Sequence, residues 1–570
     1  MNKILKYIVP VAAMLLSTGL TSCLNDLHVT PIDPSVQTEV EPEQLFNKCY
    51  ANFALAGNGG ADGDCDVDGI DGGTSGLYRQ YWNSQELTTD EAICGWGDEG
   101  VPTYCYNTYD ASHPMLRGYY YRLCVGISYC NQYLMVFNDY NATMSAEVRF
   151  LRAFQMYLLM DAFGNVPFTT TISSEAPQQK KRAELFSYIE SELRAILGEI
   201  ETDNKQVLED DMYHKSGDPR YGRVDKAAAW LLLARLYLNA EVYTGTPQWK
   251  KAQDYAQLVK DSHYNLNLDG SSKEVTITEP GTENSFTEIW EFTAYQMLFM
   301  GDNDHTSAAE EAIFPLISDG KRTTSWGVSL FLIASTHDGD MRDLPYDSFF
   351  EDDAKRAVNG VSGQAWGGNR ARPDLVRKFF PMDDAPEGLY AYETFSAAMD
   401  DRALFDTRGR SFNIEDPGTF KQGYAVAKFN NLTTDGSTTK DATHPDMDVF
   451  LMRKAEAYLI LAEAYARQNE MGLALENINI LRNRAHARPL TKINSLDDIL
   501  DEWSREFYFE GHRRTDLIRF GKFGGNSDYI WQWKGGEYNG RNFEAFRNIF
   551  AIPSSDIIAN KNLHQNDGYK

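Results

Sequence analysis

Three tryptophans lie in glycine-rich segments, where an aromatic ring can stay exposed and stack on a ligand. Trp96 occurs in CGWGDEG, Trp326 in TTSWGVS and Trp366 in QAWGGN. Glycine neighbours leave the backbone free to approach a bound molecule, and the apolar C–H faces of neutral sugars stack on aromatic rings. The alternative is local packing beneath loops, because large aromatic side chains are mostly buried in folded proteins. The pattern therefore predicts a sugar-stacking surface, with loop packing as its alternative.

Side chains able to hydrogen-bond a sugar lie near these tryptophans in the sequence. The candidates are Arg79, Asp98, Glu99, Arg370 and Arg372. A guanidinium group can donate two parallel bonds to hydroxyls, and carboxylates can accept bonds from them. For Arg79 an ion pair with a nearby acid is an equal alternative, and the nearby acids are Glu86, Asp90 and Glu91.

Two segments match short motifs only in part. Gly95–Gly100 satisfies G-x-G-x-x-G, but Pro102 follows it and no crossover helix begins there, which argues against a dinucleotide site. The segment DCDVDGID, from Asp64, begins like a calcium loop, yet its twelfth position is Ser75 in place of the bidentate glutamate. A solvated acidic turn is the simpler interpretation of the second segment.

A surface glycoside hydrolase is an alternative class of protein. It needs two opposed carboxylates, and the 82 aspartates and glutamates of the chain leave such a pair open. The helical periodicity favours repeat hairpins over a barrel of alternating strands and helices, and no H-E-x-x-H, G-x-S-x-G or Walker lysine motif is present. A non-catalytic adhesion or structural lipoprotein with buried aromatic residues is the third class. We expect a binding protein, not an enzyme, and one that requires no cofactor.

The composition argues against two classes of partner. The formal net charge is −28 with a pI near 4.8, and no Lys/Arg-rich run is present. Nucleic acid and anionic lipid headgroups are therefore poor partners, because both need a positive face. The aromatic content of 13% suits a binder of neutral sugars.

The amino-terminal segment has the layout of a bacterial lipoprotein signal. Lys3 and Lys6 precede a short apolar run, and Leu-Thr-Ser at positions 20–22 precedes Cys23. Cleavage there and lipidation of Cys23 would take the net charge from −28 to −30, because both lysines are removed. The alternative is ordinary cleavage that leaves Cys23 a free thiol. No later apolar run is long enough to span a bilayer, so the lipid would be the only anchor, and the six other cysteines are expected to be mostly buried thiols.

Helical periodicity is strongest in residues 448–523. Ala455, Ala462 and Ala466 share one face of a first helix, which lets a second helix after QNEMG pack closely. This antiparallel hairpin is of tetratricopeptide type, and residues 225–262 predict a second one.

The end of that region carries more charge than a solvated face needs. The charged residues are Arg505, Glu506, Glu510, Arg513, Arg514 and Asp516. Because buried charges are paired, we predict ion-paired packing against the hairpin.

The predicted fold is mainly α, a tetratricopeptide-like helical-hairpin scaffold with a loop-rich inserted lobe. The long irregular middle is interpreted as functional, as long loops in compact proteins usually are. The tail is expected to contain a short strand and then a proline-started turn. The predicted divisions are 1–22, a signal peptide; 23–40, a lipidated tether; 41–262, the first part of the scaffold with binding loops near 57–110; 263–445, the ligand-binding lobe; and 446–570, the second part of the scaffold with the tail.

Several stretches together resemble the SusD/RagB family, surface lipoproteins of gut Bacteroidetes. They are the Cys23 motif, AEVRFLRAFQMYLLMDAFGNVPF, EFYFEGHRRTDLIRFGKF and AIPSSDIIANKNLHQNDGY, and they extend from one end of the chain to the other. GLYRQYWNSQELTTDEAICGW and WKGGEYNG further resemble the starch-binding founder of the family. The lobe differs from that pattern around residues 341–369.

The resemblance implies a function and a location. It implies a non-catalytic, lipid-anchored, cell-surface protein of the outer membrane, which captures a polysaccharide or oligosaccharide for a SusC-like TonB-dependent porin. By placement, Trp96, Trp326 and Trp366 match the family's aromatic arc. Starch-like glucan leads as ligand, and fructan, xylan and host glycans stay open. Some relatives hold a structural calcium ion near the region that here contains Asp302, Asp304, Glu310 and Glu311. Helix-capping acids are the alternative for these four residues.

Overall fold

The computed structural model places most of the chain, and Cys23 and the predicted signal peptide before it lie outside the described residues. Contacts divide the chain into two compact units, Met1–Leu45 and Phe46–Lys570. Of the first unit, only the beginning of a helix is described, and all later elements belong to the second. The described residues are 40–57, 65–201, 205–278, 283–339, 341, 360–361, 364–437, 439–441 and 443–569.

Helices dominate the described residues, which confirms the predicted fold class. The α-helices are α1 Pro42–Ala51, α2 Leu77–Trp82, α3 Val101–Cys105, α4 Pro114–Val136, α5 Ala142–Phe163, α6 Arg182–Ile196, α7 Lys226–Leu238, α8 Ala240–Thr244, α9 Trp249–Lys260, α10 Ala294–Met297, α11 Ser329–Thr336, α12 Pro373–Val376, α13 Ala391–Ala398, α14 Ala455–Arg467, α15 Met471–Arg484, α16 Leu496–Phe507, α17 Arg513–Arg519 and α18 Ser554–Ala559. A π-helix, Asn83–Leu87, continues α2, and the 3₁₀ turns are Ser307–Glu311, Lys534–Gly536 and Ala545–Asn548.

The strands are short and pair only in twos within the described residues. The antiparallel pairs are β1 Ala92–Cys94 with β7 Asn369–Ala371, β2 Val166–Phe168 with β3 Gln178–Lys180, β4 Ser271–Thr278 with β5 Ser285–Phe292, β6 Ala312–Leu316 with β10 Val449–Arg453, and β8 Phe405–Asp406 with β9 Ala425–Val426.

Successive helix pairs form the scaffold. α4 packs on α5 and α5 on α6, while α7 packs on α9, α9 on α14 and α14 on α15. Ala252 and Ala462 are fully buried at these contacts, and their small side chains let the helix axes approach closely. The start of α7 is fixed by Asp225, whose carboxylate accepts a 2.8 Å bond from the Ala227 amide, as N-cap residues do.

The predicted hairpin of residues 448–523 is confirmed. α14 ends at Arg467, and the chain turns through Asn469, whose φ of +66° is tolerated better by asparagine than by most residues. α15 then begins at Met471. The QNEMG segment therefore ends one helix and starts the next.

Arg453 is the centre of a buried ion network that holds the scaffold together. Its guanidinium lies 2.9 Å from Glu311, 2.7 Å from Glu506 and 2.8 Å from Glu510. All four side chains are almost completely excluded from solvent. Because β10 carries Arg453 and α16 carries Glu506, the network joins the strand pair to the carboxyl-terminal helices.

Further buried ion pairs extend this network, which confirms the predicted ion-paired packing. They join Arg402 to Glu502 and Glu506, Arg484 to Glu311 and Glu506, Lys428 to Glu510, Arg505 to Glu502, Arg513 to Asp90, and Arg519 to Glu463 and Asp516. Arg514 behaves differently. It donates a 2.8 Å bond to the Asn548 carbonyl and its guanidinium lies 3.9 Å from the centre of the Phe550 ring.

The lobe, residues 263–445, has the predicted character where it is described. It contains the β4–β5 hairpin, short helices and loops. The pair β1–β7 and the pair β6–β10 each join a lobe strand to a scaffold strand. The boundaries at 263 and 445 therefore separate regions of different structure inside one compact unit, and they stay predictions as domain boundaries.

The tail differs from its prediction. Ile549–Ile552 forms no strand, because Phe550 makes a single main-chain bond of 2.8 Å to Ala162 at the end of α5. The Phe550 ring packs 4.8 Å from Tyr109 in the core. Pro553 then starts a helix, α18, in place of the predicted turn.

The described cysteines are free thiols and most are buried, as predicted. They are unpaired, and the buried ones are Cys49, Cys94, Cys105 and Cys130, while Cys65 and Cys124 are half-buried. Among the residues placed by the structure, no helix has both the length and the apolar character needed to cross a bilayer.

Candidate functional site

The three predicted tryptophans converge into one row. The ring centroid of Trp366 lies 6.4 Å from that of Trp96 and 5.8 Å from that of Trp326. The ring planes are inclined by 50° and 37°, so the row is stepped and not flat. All three side chains are half-buried. One part of each ring is thus held by the protein while another part remains in solvent.

Hydrogen bonds to main-chain carbonyls position Trp96 and Trp366 beside the strand pair β1–β7 and helix α11. Trp96 follows β1, which pairs with β7, and the Gly95 amide donates a 3.0 Å bond to the Gly368 carbonyl. The indole Nε1 of Trp96 donates a 2.5 Å bond to the Gly367 carbonyl. The amide of Trp366 donates a 2.8 Å bond to Ala334 in α11. The row is therefore tied to regular elements and not to loose loops.

Trp326 is positioned from the other end of α11. The hydroxyl of Ser325 donates a 2.7 Å bond to the Ala54 carbonyl, and Gly327 passes close to Gly76 at the start of α2. A Cβ atom on Gly327 would lie 3.6 Å from the Gly76 Cα atom, so the two chain segments are in contact. Trp326 lies just before the start of α11, and the amide of Trp366 bonds to Ala334 near the end of this helix. The helix therefore sets the spacing of the two rings.

Gly368 is required by the packing of Trp96. Its φ is +143°, a conformation that side chains rarely adopt. A Cβ atom at this position would lie 2.4 Å from Nε1 of Trp96. The glycine that the sequence places beside Trp366 therefore makes room for a different tryptophan.

Arg79 contacts one end of the row. Its guanidinium carbon lies 5.7 Å from the centre of the Trp96 ring and 4.8 Å from that of Phe331, and Nη1 donates a 2.9 Å bond to the Gly73 carbonyl. Burial lowers the pKa of Arg79 from its usual value. The guanidinium thus supports the rings through cation–π contacts.

The acids considered as ion-pair partners of Arg79 bond elsewhere. Asp90 lies 2.7 Å from Arg513 and 2.9 Å from Lys378. Glu86 accepts a 2.6 Å bond from the Gly511 amide. These acids connect the π-helix region to the carboxyl-terminal helices, and the structure gives them no part in the row.

Asp98 and Glu99 follow Trp96 and are exposed. Their carboxylates face solvent on the loop that carries the first ring, so they are available as hydrogen-bond acceptors.

Sequence reasoning missed two further rings at the site. Phe331, buried in α11, lies 6.5 Å from the Trp96 ring, and His444 lies 5.5 Å from the Trp326 ring. One is part of an ordinary apolar helix and the other of a polar loop, so neither has a local signal.

Arg370 and Arg372 do not reach a ligand surface, and their predicted role in sugar contact is wrong. Both are fully buried. Arg370 donates to the carbonyls of Gly368 and Pro417 at 3.0 and 2.6 Å, and burial lowers its pKa to about 10. Arg372 donates to the Ala92 carbonyl at 2.9 Å. Both arginines therefore fix the loops around the row from inside.

The predicted calcium ligands do not form one group. The four residues are Asp302, Asp304, Glu310 and Glu311. Glu311 is neutralised by Arg453 in the buried ion network, and Asp302 accepts bonds of 2.9 and 2.6 Å from the amide and hydroxyl of Thr434. No cluster of three or more metal-ligand side chains occurs among the described residues, which include all four. The prediction that these carboxylates share one ion is wrong, because an arginine distant in sequence takes one of them.

The calcium-like segment near residue 66 is ion-paired where the structure describes it. The Asp66 carboxylate lies 3.0 Å from Lys48 and 3.3 Å from Arg122. Asp64 lies outside the described residues. At the other partial motif, α3 is a single short helix after Gly100 and not the long crossover helix of a dinucleotide site.

Comparison with known proteins identifies the family. The model of the SusD family matches residues 414–569. Starch-binding protein SusD of Bacteroides thetaiotaomicron is 36% identical, and the alignment covers 97% of this chain and 97% of that protein. SusD-like protein P25 of Formosa agariphila is 24% identical over 66% of this chain and 63% of that one. The chain therefore belongs to the SusD family.

Solved structures share the fold. Surface glycan-binding protein A from Bacteroides uniformis superposes with a TM-score of 0.62 at 18% identity, over 92% of this chain and 98% of that one. Surface glycan-binding protein A from Bacteroides thetaiotaomicron, solved in complex with laminarihexaose, gives a TM-score of 0.61 at 18% identity and the same coverage. The helical-hairpin scaffold is thus the one found in SusD-superfamily structures.

Proposed function

We propose that this protein binds a polysaccharide or oligosaccharide on the row Trp96, Trp366 and Trp326. The observation that carries the proposal is the convergence of three tryptophans from separate loops into one half-exposed row. Support comes from the relatives, since one is named a starch-binding protein and another was solved with laminarihexaose.

The geometry suits a neutral ligand with repeating rings. Each stacked ring contributes about 0.5–1.5 kcal/mol beyond burial, and several such contacts on one chain add avidity to weak individual sites. The exposed carboxylates of Asp98 and Glu99 would accept bonds from sugar hydroxyls. Arg79, beside Trp96, would hold that ring in place, and its half-buried side chain would donate bonds to sugar hydroxyls. A starch-like glucan is the leading ligand, because the amino-acid sequence around Trp96 resembles that of the starch-binding member of the family.

We place the protein on the outer face of the outer membrane, anchored by a lipid on Cys23, where it delivers its glycan to a SusC-like TonB-dependent porin. The chain carries no motif for nucleotide hydrolysis, so the partner would supply the coupling to energy. Metabolic labelling with a radioactive fatty acid checks the anchor. Cys23→Ala should abolish both the label and membrane association, whereas equal labelling of the variant would contradict lipidation at this residue.

Calorimetry against a panel of polymers tests the binding proposal. The chain lacking residues 1–23 is titrated with starch, levan, inulin, xylan and mannan, and the products are analysed in parallel. We expect one polymer to bind without being shortened, and Trp96→Ala to weaken that binding about two- to tenfold through lost stacking.

The control is Trp249→Ala, another half-buried tryptophan, whose ring lies on α9 against Arg467. Full affinity in this variant shows that the effect belongs to the row. Release of short sugars would instead favour the hydrolase class. Absence of binding to every polymer would favour an adhesion or structural lipoprotein.

A further inference from the structure

A second group of aromatic side chains lies around the segment WKGGEYNG. The ring centroid of Trp533 lies 5.7 Å from that of Tyr106 at 40°, and 6.0 Å from that of Tyr538 at 89°. Trp533 and Tyr106 are half-buried, and Tyr538 is 38% exposed. The cluster thus repeats the properties of the tryptophan row, with tilted rings held at one side and open at another.

The backbone holds Trp533 in a conformation that bulky residues rarely take. Its φ is +68°, and Gly535 and Gly536 follow with φ of +63° and +80°. A non-glycine residue in this conformation costs about 1–3 kcal/mol of folding free energy. It persists where its surroundings fix it, often at a ligand site. Here the indole Nε1 donates a 2.7 Å bond to the Ile414 carbonyl. The core of this region is filled by Trp531, which is fully buried two residues earlier.

One short segment connects the two aromatic surfaces. Ile414 accepts the bond from Trp533, and Pro417 accepts a 2.6 Å bond from Arg370. The Gly418 carbonyl lies 3.3 Å from where a Cβ atom of Gly95 would stand, next to Trp96. From Ile414 to Gly418 the chain spans at most about 14 Å. The points at which this segment contacts the two surfaces are therefore at most about 14 Å apart.

Asp416 lies on this connecting segment with an exposed carboxylate. It accepts bonds of 2.9 Å from the Gly418 amide and 3.0 Å from the Thr419 hydroxyl, and these bonds lower its pKa below the usual range. Burial chiefly raises the pKa of Tyr106, and the nearby Asp416 charge adds to that rise. An ionised acceptor thus lies beside the second surface and on the path from the first.

We infer that Tyr106, Trp533 and Tyr538 form a second sugar-stacking surface, which binds the continuation of the glycan chain held on the tryptophan row. Asp416 accepts hydroxyl bonds from the sugar units between the two. The inference takes its ligand class from the proposed function. Two weak sites on one chain reinforce each other through effective concentration, so the second surface acts on long glycans and not on short ones.

Chain length is the variable that tests this arrangement. Calorimetry compares a trisaccharide and the polymer of whichever glycan the panel identifies. Tyr538→Ala should bind the trisaccharide as the unaltered protein does, and bind the polymer about three- to tenfold more weakly, the loss expected for one stacked ring. The matched control is Tyr140→Ala, an exposed tyrosine after α4, which should leave both affinities unchanged.

A second measurement observes the second surface directly, in a variant that lacks the tryptophan row. The triple variant W96A/W326A/W366A is titrated with high concentrations of the polymer, and tryptophan fluorescence is recorded. A saturable change should remain in the triple variant and disappear when Trp533→Phe is added. This readout does not depend on the affinity of the first row.

The outcomes separate the two proposals. Weaker trisaccharide binding by Trp96→Ala, combined with unchanged polymer affinity in Tyr538→Ala and no fluorescence change in the triple variant, would overturn the second surface and leave the proposed function standing. Full trisaccharide affinity in Trp96→Ala would overturn the proposed function, and the inference would fall with it.

Discussion

Arg453 and Trp366 are centres of two regions that are built in opposite ways. Arg453 holds Glu311, Glu506 and Glu510 in a network sealed from water. Trp366 joins two other tryptophans in a row that solvent reaches. The ionic region is made by side chains bonding to one another, whereas the aromatic row is held mainly by main-chain bonds and glycines.

The difference shows how an acidic protein can present a neutral binding surface. Several of its arginines are used inside the scaffold, where Arg453 and Arg402 each pair with more than one buried carboxylate. Arg370 and Arg372, beside the row in sequence, are also turned inward onto carbonyls. What remains at the row is rings with a few exposed acceptors, which suits a ligand that carries hydroxyls and no charge. Stability and binding should therefore respond to different substitutions.

Removing the centre of the ionic region should have the largest effect. Arg453→Met keeps most of the side-chain volume but leaves buried carboxylates unpaired, so we expect the free energy of unfolding to fall by about 3–5 kcal/mol. Urea unfolding measures it. The matched control is Arg194→Met, whose partner Glu199 is partly exposed, and whose loss should cost at most about 1 kcal/mol. Equal effects of the two substitutions would contradict the role given to the network.

The centre of the aromatic row should give the converse result. Trp366→Ala removes one ring and the support of both neighbours, so affinity for the glycan should fall by about 1–3 kcal/mol while the unfolding transition changes little. Calorimetry and urea unfolding on the same sample check both parts. A variant that loses stability and keeps its affinity would show that the ring only packs beneath its loops.

A single methyl group at Gly368 should sharpen the comparison. Gly368→Ala places Cβ against Nε1 of Trp96, so the ring must shift and affinity should fall about two- to tenfold. Gly97→Ala, on the same loop as Trp96, meets no atom within 4 Å and should bind normally. Normal binding by both variants, measured by calorimetry, would show that the position of Trp96 does not matter.

Lowering the pH should also distinguish the ionic region from the aromatic row, and this is the smallest of the expected effects. Burial alone would raise the pKa of Glu502, but Arg402, Arg505 and Arg482 together lower it to about 2. A carboxyl whose folded pKa lies below its unfolded value stabilises the fold above the unfolded pKa, near 4.3, and that contribution is lost as pH falls toward 2.

The free energy of unfolding should therefore decline below about pH 4.3, and Glu502→Gln should make that decline shallower. The tryptophan rings themselves do not titrate, so their stacking on the glycan should not change with pH. Unfolding curves measured at several pH values test the first statement, and an identical acid slope in both proteins would contradict it.

The sequence was informative where local pattern decides the structure. Helical periodicity predicted the α14–α15 hairpin, and glycine neighbours identified Trp96, Trp326 and Trp366, which the fold brings together. The excess of charge around Glu506 predicted ion pairs but not their partners.

Long-range contacts explain the errors. Arg370 and Arg372 are buried because their guanidinium groups bond to carbonyls of segments distant in sequence, at Pro417 and Ala92. Glu311 left the predicted calcium group because Arg453, distant in sequence, binds it. Local sequence carries no signal for either event.

A crystal structure of the complex with an oligosaccharide of the bound polymer tests the central claim most directly. We expect sugar rings within about 4.5 Å of Trp96, Trp366 and Trp326, the distance of apolar contact. Sugar bound elsewhere, with the three rings free of ligand, would contradict the account.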